Sequence, residues 1–204
     1  MECAYGIMRE AVDRDELMGA VLQVSRGGAA LPVACFGQRT LGGELIREDT
    51  IFLVASITKP IVCAVVLHMV EQGRVCLDDR VVQYVPEFSA NGKEEVTLRH
   101  LLTHTSGLPD MIPENHEYRA AHRPLGDFVA RACELKLIFQ PGTRVSYQSA
   151  GIAILGEIVE RLVGRALPVI AMSSMAIVAA VATRRSPVTA DTLSAPPAIR
   201  PTKR

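Results

Sequence analysis

Tryptophan is absent from this chain of 204 residues, and Phe, Trp and Tyr together make up only 4% of it. Surfaces that stack on sugar rings or on unpaired nucleobases need several exposed aromatics, so this scarcity argues against both. Charge of either sign is not in excess, with 22 Lys and Arg against 22 Asp and Glu. The chain therefore has neither a basic stripe for nucleic acid nor an acidic solvating arm. The five cysteines, Cys3, Cys35, Cys63, Cys76 and Cys133, are odd in number and form no C-x-x-C pair. A disulfide framework and a zinc site are both poorly supported. Cys63 falls in an apolar stretch and reads as a small core residue. His68 reads as a satisfied helix residue, and His100, His116 and His122 lack acidic or cysteine partners at ligand spacing. No metal and no organic cofactor is expected. The start, Met1-Glu2-Cys3-Ala4-Tyr5, has no basic segment followed by an apolar run, so no secretory signal is read and a cytoplasmic location is expected.

What is present is apolar surface. Residues of the AVILMFWYC class make up 49% of the chain, enough for one domain with a real core and too much for disorder throughout. Residues 7–18 have the pattern of a short amphipathic helix. Residues 19–25 and 31–36 read as strands of a hairpin around Arg26-Gly27-Gly28. A helix is expected from about Ser56 to Gly73, with Pro60 tolerated in its first turn. A short connector follows at 81–88, then a helix capped by Thr97 and broken at Thr105-Ser106-Gly107-Leu108-Pro109. Further helices are expected at 125–137 and at 149–163, the latter with Ile152, Leu155, Ile158, Val159 and Leu162 on one face.

The chemistry centres on Ser56-Ile57-Thr58-Lys59, where an apolar run turns into a helix. A serine and a lysine three positions apart on a helix face the same way, about 4.5 Å apart along its axis. A serine hydroxyl is a poor nucleophile at neutral pH and needs a neighbour to take its proton, which a desolvated lysine can do. At a helix amino end, free N–H groups and the dipole also favour developing negative charge.

Three stretches carry a resemblance: Phe52 to Asp79, Val96 to Pro109 with its Leu101-Leu102-Thr103-His104-Thr105-Ser106-Gly107-Leu108-Pro109, and Pro141 to Gly151 with its Tyr147-Gln148-Ser149. In order and spacing they resemble the β-lactamase-related serine hydrolases, which include class C β-lactamases, penicillin-binding proteins, D-aminopeptidases and esterases. The resemblance spans about residues 17–165. It implies an α/β fold of the β-lactamase type, an antiparallel sheet beside a helical region. It also implies a small-molecule amide or ester substrate. Ser56 would be the acyl-accepting nucleophile, Lys59 its proton relay, and Tyr147 the phenol that moves protons between nucleophile and leaving group. Ser149 would face substrate; it stands where relatives carry Asn or Ser, and Ser is compatible with esterases. His104 and Ser106 fall in the family's structural segment near the cleft.

One family element is not found. No Lys-Thr-Gly or His-x-Gly triad follows Tyr147, and the strands that carry it are missing. The expectation is an incomplete fold: residues 1–165 as a partial domain, then an apolar segment and disordered tail over 166–204 unlike the family. Such a chain should be weakly active or inactive, with an unpaired strand edge that favours oligomers or aggregates. The apolar run 166–183 is at the lower limit for a membrane span, and its plainer reading is a buried helix. It also frames the alternative, a non-catalytic interaction or membrane-associated protein that keeps the scaffold.

Overall fold

The first helix, α1 (Glu2–Asp13), lies five residues earlier than the sequence pattern suggests. It stops where Asp15 takes a φ of 56°, a left-handed conformation that a helix cannot propagate through. The computed structural model describes residues 2–166. The apolar run from 167 and the tail expected to be disordered lie outside the described residues.

The chain divides into two units, Met1–Ala55 and Ser56–Arg204. In the first, β1 (Gly19–Leu22) pairs antiparallel with β4 (Ala34–Gly37), Ala20 facing Phe36 and Leu22 facing Ala34. The tip of the same hairpin is a second ladder, β2 (Ser25–Arg26) with β3 (Ala29–Ala30), Ser25 facing Ala30. Gly27 and Gly28 close it at φ values of 63° and 87°, which a two-residue hairpin turn requires and glycine takes at least cost. The expected continuous strands are thus interrupted. Between the ladders the returning strand carries one extra residue, and Pro32 lies there without an N–H to pair. Tyr5 of α1 meets Phe36 of β4, ring centroids 6.5 Å apart.

The second unit is helical. It contains α2 (Thr58–Glu71), α3 (Leu98–Leu102), α4 (Asn115–Ala120), α5 (Leu125–Cys133) and α6 (Ala150–Val163). Helix α2 buries Val62, Val65, Val66 and Met69, one stripe at helical spacing. Helix α6 packs against α2, α3 and α5, and is central enough to bury Ile154 as well as the expected Ile152, Leu155, Ile158 and Val159. Gly164, at φ 70°, ends it as a left-handed cap. Helix α5 stops at Cys133, four residues short of the expected end. There the Leu135 carbonyl accepts a hydrogen bond of 2.7 Å from Lys93 Nζ. Lys93 is fully buried, also donates to the Ala90 carbonyl, and lies 5.4 Å from the centre of the Phe88 ring. Burial holds its ammonium below the ordinary lysine range. Among the described residues no helix is long and apolar enough to cross a membrane.

Candidate active site

Ser56 lies in a 3₁₀ turn, Ala55–Ile57, that runs directly into α2. The residue before it, Ala55, has a φ of 43°. That conformation is costly for a residue with a Cβ and is a form of strain that clusters at functional sites. Lys59 follows in the first turn of α2, and its Nζ donates to Ser56 Oγ over 3.1 Å. Tyr147 arrives from the irregular segment ahead of α6, and its phenol donates to the same Oγ over 2.8 Å. Lys59 Nζ also lies 4.7 Å from the centre of the Tyr147 ring. The structure thus joins Ser56, Lys59 and Tyr147 in one hydrogen-bonded cluster, 91 residues apart in sequence between Ser56 and Tyr147. The serine is exposed and Tyr147 is half exposed, so a substrate can reach both.

The electrostatics shift Tyr147 toward ionisation. Hydrogen bonding to Lys59 first, and to Ser56 second, holds Tyr147 below the ordinary tyrosine range.

Ser149 does not join the cluster by a hydrogen bond. It is the N-cap residue of α6, and its N–H donates to both the carbonyl and the carboxylate Oδ1 of Asp110, each at 2.8 Å. Its hydroxyl caps nothing. Ser106 is fully buried; its hydroxyl donates to Gln148 Oε1 over 2.5 Å and accepts from the Leu108 N–H over 3.1 Å. Its proton is committed to Gln148 and not to His104.

Three residues support this arrangement; the sequence reading places His104 only in a structural segment near the cleft and assigns no role to Gln148 or Asp110. Gln148, the middle residue of Tyr-Gln-Ser, is fully buried and anchors the segment by its Ser106 bond and a 3.4 Å bond from Nε2 to the Leu101 carbonyl. Asp110 fixes the turn into α6. His104 touches the Tyr147 segment in three ways: its carbonyl accepts from the Ser146 N–H (2.9 Å), its Nδ1 accepts from the Gln148 N–H (3.3 Å), and its ring lies 5.0 Å from that of Tyr147. No local pattern marks these residues, because each acts on a segment some 40 residues away. Among the described residues no cluster of His, Cys, Asp and Glu could hold a metal ion.

The Beta-lactamase family profile matches residues 6–176. Esterase EstB of Burkholderia gladioli is 36% identical over 177 residues, covering 79% of this chain and 45% of the esterase. Among solved structures, EstCE1, described as a hydrolase with promiscuous acyltransferase activity, superposes with a TM-score of 0.71 at 25% identity, covering 85% of this chain and 49% of EstCE1. The octameric penicillin-binding protein homologue from Pyrococcus abyssi has a TM-score of 0.73 at 24% identity, over 85% of this chain and 42% of that one, and shows likeness of fold. The chain spans about half the length of these relatives. A profile match over most of its length, together with a relative sharing more than a third of the aligned residues, shows that the chain belongs to the Beta-lactamase family.

Proposed function

We propose that this chain carries the nucleophilic centre of a serine hydrolase that acts on an amide or ester through an acyl-enzyme on Ser56. The observation that carries the reading is the pair of hydrogen bonds converging on Ser56 Oγ, from Lys59 Nζ and from the Tyr147 phenol. In this reading the ionised Tyr147 takes the Ser56 proton as Oγ attacks the substrate carbonyl carbon, and Lys59 keeps a positive charge beside both. The oxyanion develops at the amino end of α2, where the helix dipole and backbone N–H groups favour it. Tyr147 returns the proton to the departing amine or alcohol, leaving the acyl group on Oγ. Water, deprotonated by the same phenolate, then releases the acid and restores the serine. Kinship with an esterase, and serine at position 149, favour an ester over an amide.

The test is peptide mapping by mass spectrometry after exposure to a fluorophosphonate. An adduct on Ser56 that vanishes in Ser56→Ala supports the reading; an adduct on Ser106 replaces it with a Ser-His mechanism.

A further inference from the structure

Tyr147 is held on both sides by one residue. The amides that flank it, those of Ser146 and Gln148, both donate to His104, one to the carbonyl and one to the ring Nδ1. The His104 ring then lies against the phenol ring itself. His104 is at φ 58°, a conformation that a residue with a Cβ takes only at a cost. That turn sets the carbonyl and the ring of the same residue against the Tyr147 segment. We propose that His104 is the positioning residue that keeps the Tyr147 phenol on Ser56 Oγ, and that it does so only as the neutral imidazole with Nδ1 free to accept.

The chemistry is direct. Nδ1 can accept the Gln148 N–H only while it carries no proton. Protonation puts an N–H on Nδ1, opposite the N–H of Gln148, and adds a cation close to Lys59. The charged and titratable groups that face the ring are Lys59 from α2, Asp110 from the loop ahead of α4, and Tyr147 itself. Burial first and Lys59 second disfavour the imidazolium, and Asp110 opposes them. The inference rests on the reading of Ser56 as nucleophile, because the phenol is worth positioning only if it serves that hydroxyl.

The test uses the full 204-residue chain and two readouts. The first is the rate at which a fluorophosphonate modifies Ser56. In that step an Oγ–P bond forms, the P–F bond breaks, fluoride leaves and the serine proton passes to Tyr147. The second is the titration of Tyr147 by carbon-13 tyrosine NMR, its resonance identified by loss in Tyr147→Phe. His104→Gly keeps the backbone conformation but removes ring and acceptor. It should lower phosphonylation by about 10- to 100-fold, the effect of a small misplacement, and move the Tyr147 titration up toward the ordinary value of about 10. His104→Asn tolerates the same φ and offers Oδ1 where Nδ1 stood. It should restore both readouts. In the wild type the logarithm of the rate should fall with a slope of about one as pH drops, steepening to about two once His104 takes up its proton, below about pH 6.5. In His104→Asn it should stay near one. Unchanged rate and titration in His104→Gly, or an Asn variant as impaired as the Gly variant, overturns the proposal. A steep acid limb that survives in His104→Asn overturns its dependence on the neutral form. Absence of any adduct on Ser56 in the wild type overturns the nucleophile reading, and the tyrosine titration then still decides the part of His104.

Discussion

At the scale of single residues the site depends on which group accepts the serine proton. Tyr147 donates to Ser56 Oγ and is held below the ordinary tyrosine range by Lys59. Its ionised fraction at neutral pH is therefore raised. Phosphonylation should rise with pH to a plateau whose midpoint lies below the ordinary value of about 10. Tyr147→Phe should abolish that rise and slow the reaction by about 10²–10⁴, the usual worth of a general base, as stopped-time labelling across pH will show. Lys59→Arg should fail nearly as badly as Lys59→Ala. A planar guanidinium does not replace a compact ammonium held 3.1 Å from a hydroxyl and close to the phenol ring. Wild-type labelling in Lys59→Arg would show that any cation at this position serves, against a need for the compact ammonium. Ser56, Lys59 and Tyr147 could be named from sequence because their motifs stand in a fixed order. His104 as a contact of Tyr147, Gln148 as a buried anchor and Asp110 as the ligand of the Ser149 amide could not. Each works through backbone groups on a distant segment, and such bonds leave no spacing to read.

At the scale of elements, the strongly apolar helices α2 and α6 lie where the sequence puts them, while α4, which buries none of its residues, leaves no such trace. Helix α3 is short, and its amino end is fixed by a capping box: Thr97 Oγ1 accepts from the His100 N–H (3.3 Å), and His100 Nδ1 accepts from the Thr97 N–H (3.2 Å). Burial, and then Arg99, hold His100 below the ordinary histidine value. The folded chain thus binds this proton less readily than the unfolded chain. The stabilisation is fully present above the unfolded value of about 6.5 and is lost as pH falls through the folded one. Urea midpoints should therefore fall between pH 7.5 and pH 5.5. His100→Gln keeps an acceptor at the same capping position without titrating, and should fall less. An equal fall in both proteins would assign the acid sensitivity elsewhere. Gly107 serves the same region from a φ of 82°, and a Cβ there would meet the Phe139 carbonyl oxygen at 2.1 Å. Gly107→Ala should loosen the pairing of the 105–109 turn with the segment that leads to Tyr147, and cut Ser56 labelling along with stability.

At the scale of the whole molecule the apolar burial is unevenly shared. The continuous core runs from Val62 to Val159, all within the second unit. The first unit buries Phe36 and Ile46, and its two sheets have two strands each. Two-stranded sheets are marginal by themselves, because few side chains are removed from water for the backbone entropy lost. Among the described residues the outer edges of β1 and β4 have no further strand beside them, a template for pairing with another chain. Local stability should follow this division. In hydrogen exchange at neutral pH, the amides of α6 and α2 should be the slowest, opening only with the whole unit. Those of β1 and β4 should exchange orders of magnitude faster and at a rate insensitive to Leu155→Ala. That substitution removes a fully buried side chain of α6, and should cost about 2–5 kcal/mol and speed exchange throughout α2, α3, α5 and α6. Strand amides that slow with rising protein concentration would show the open edges pairing between copies. Strand amides as slow as those of α6 at low concentration would show that the hairpin shares the cooperativity of the helical unit, against the division drawn from its burial.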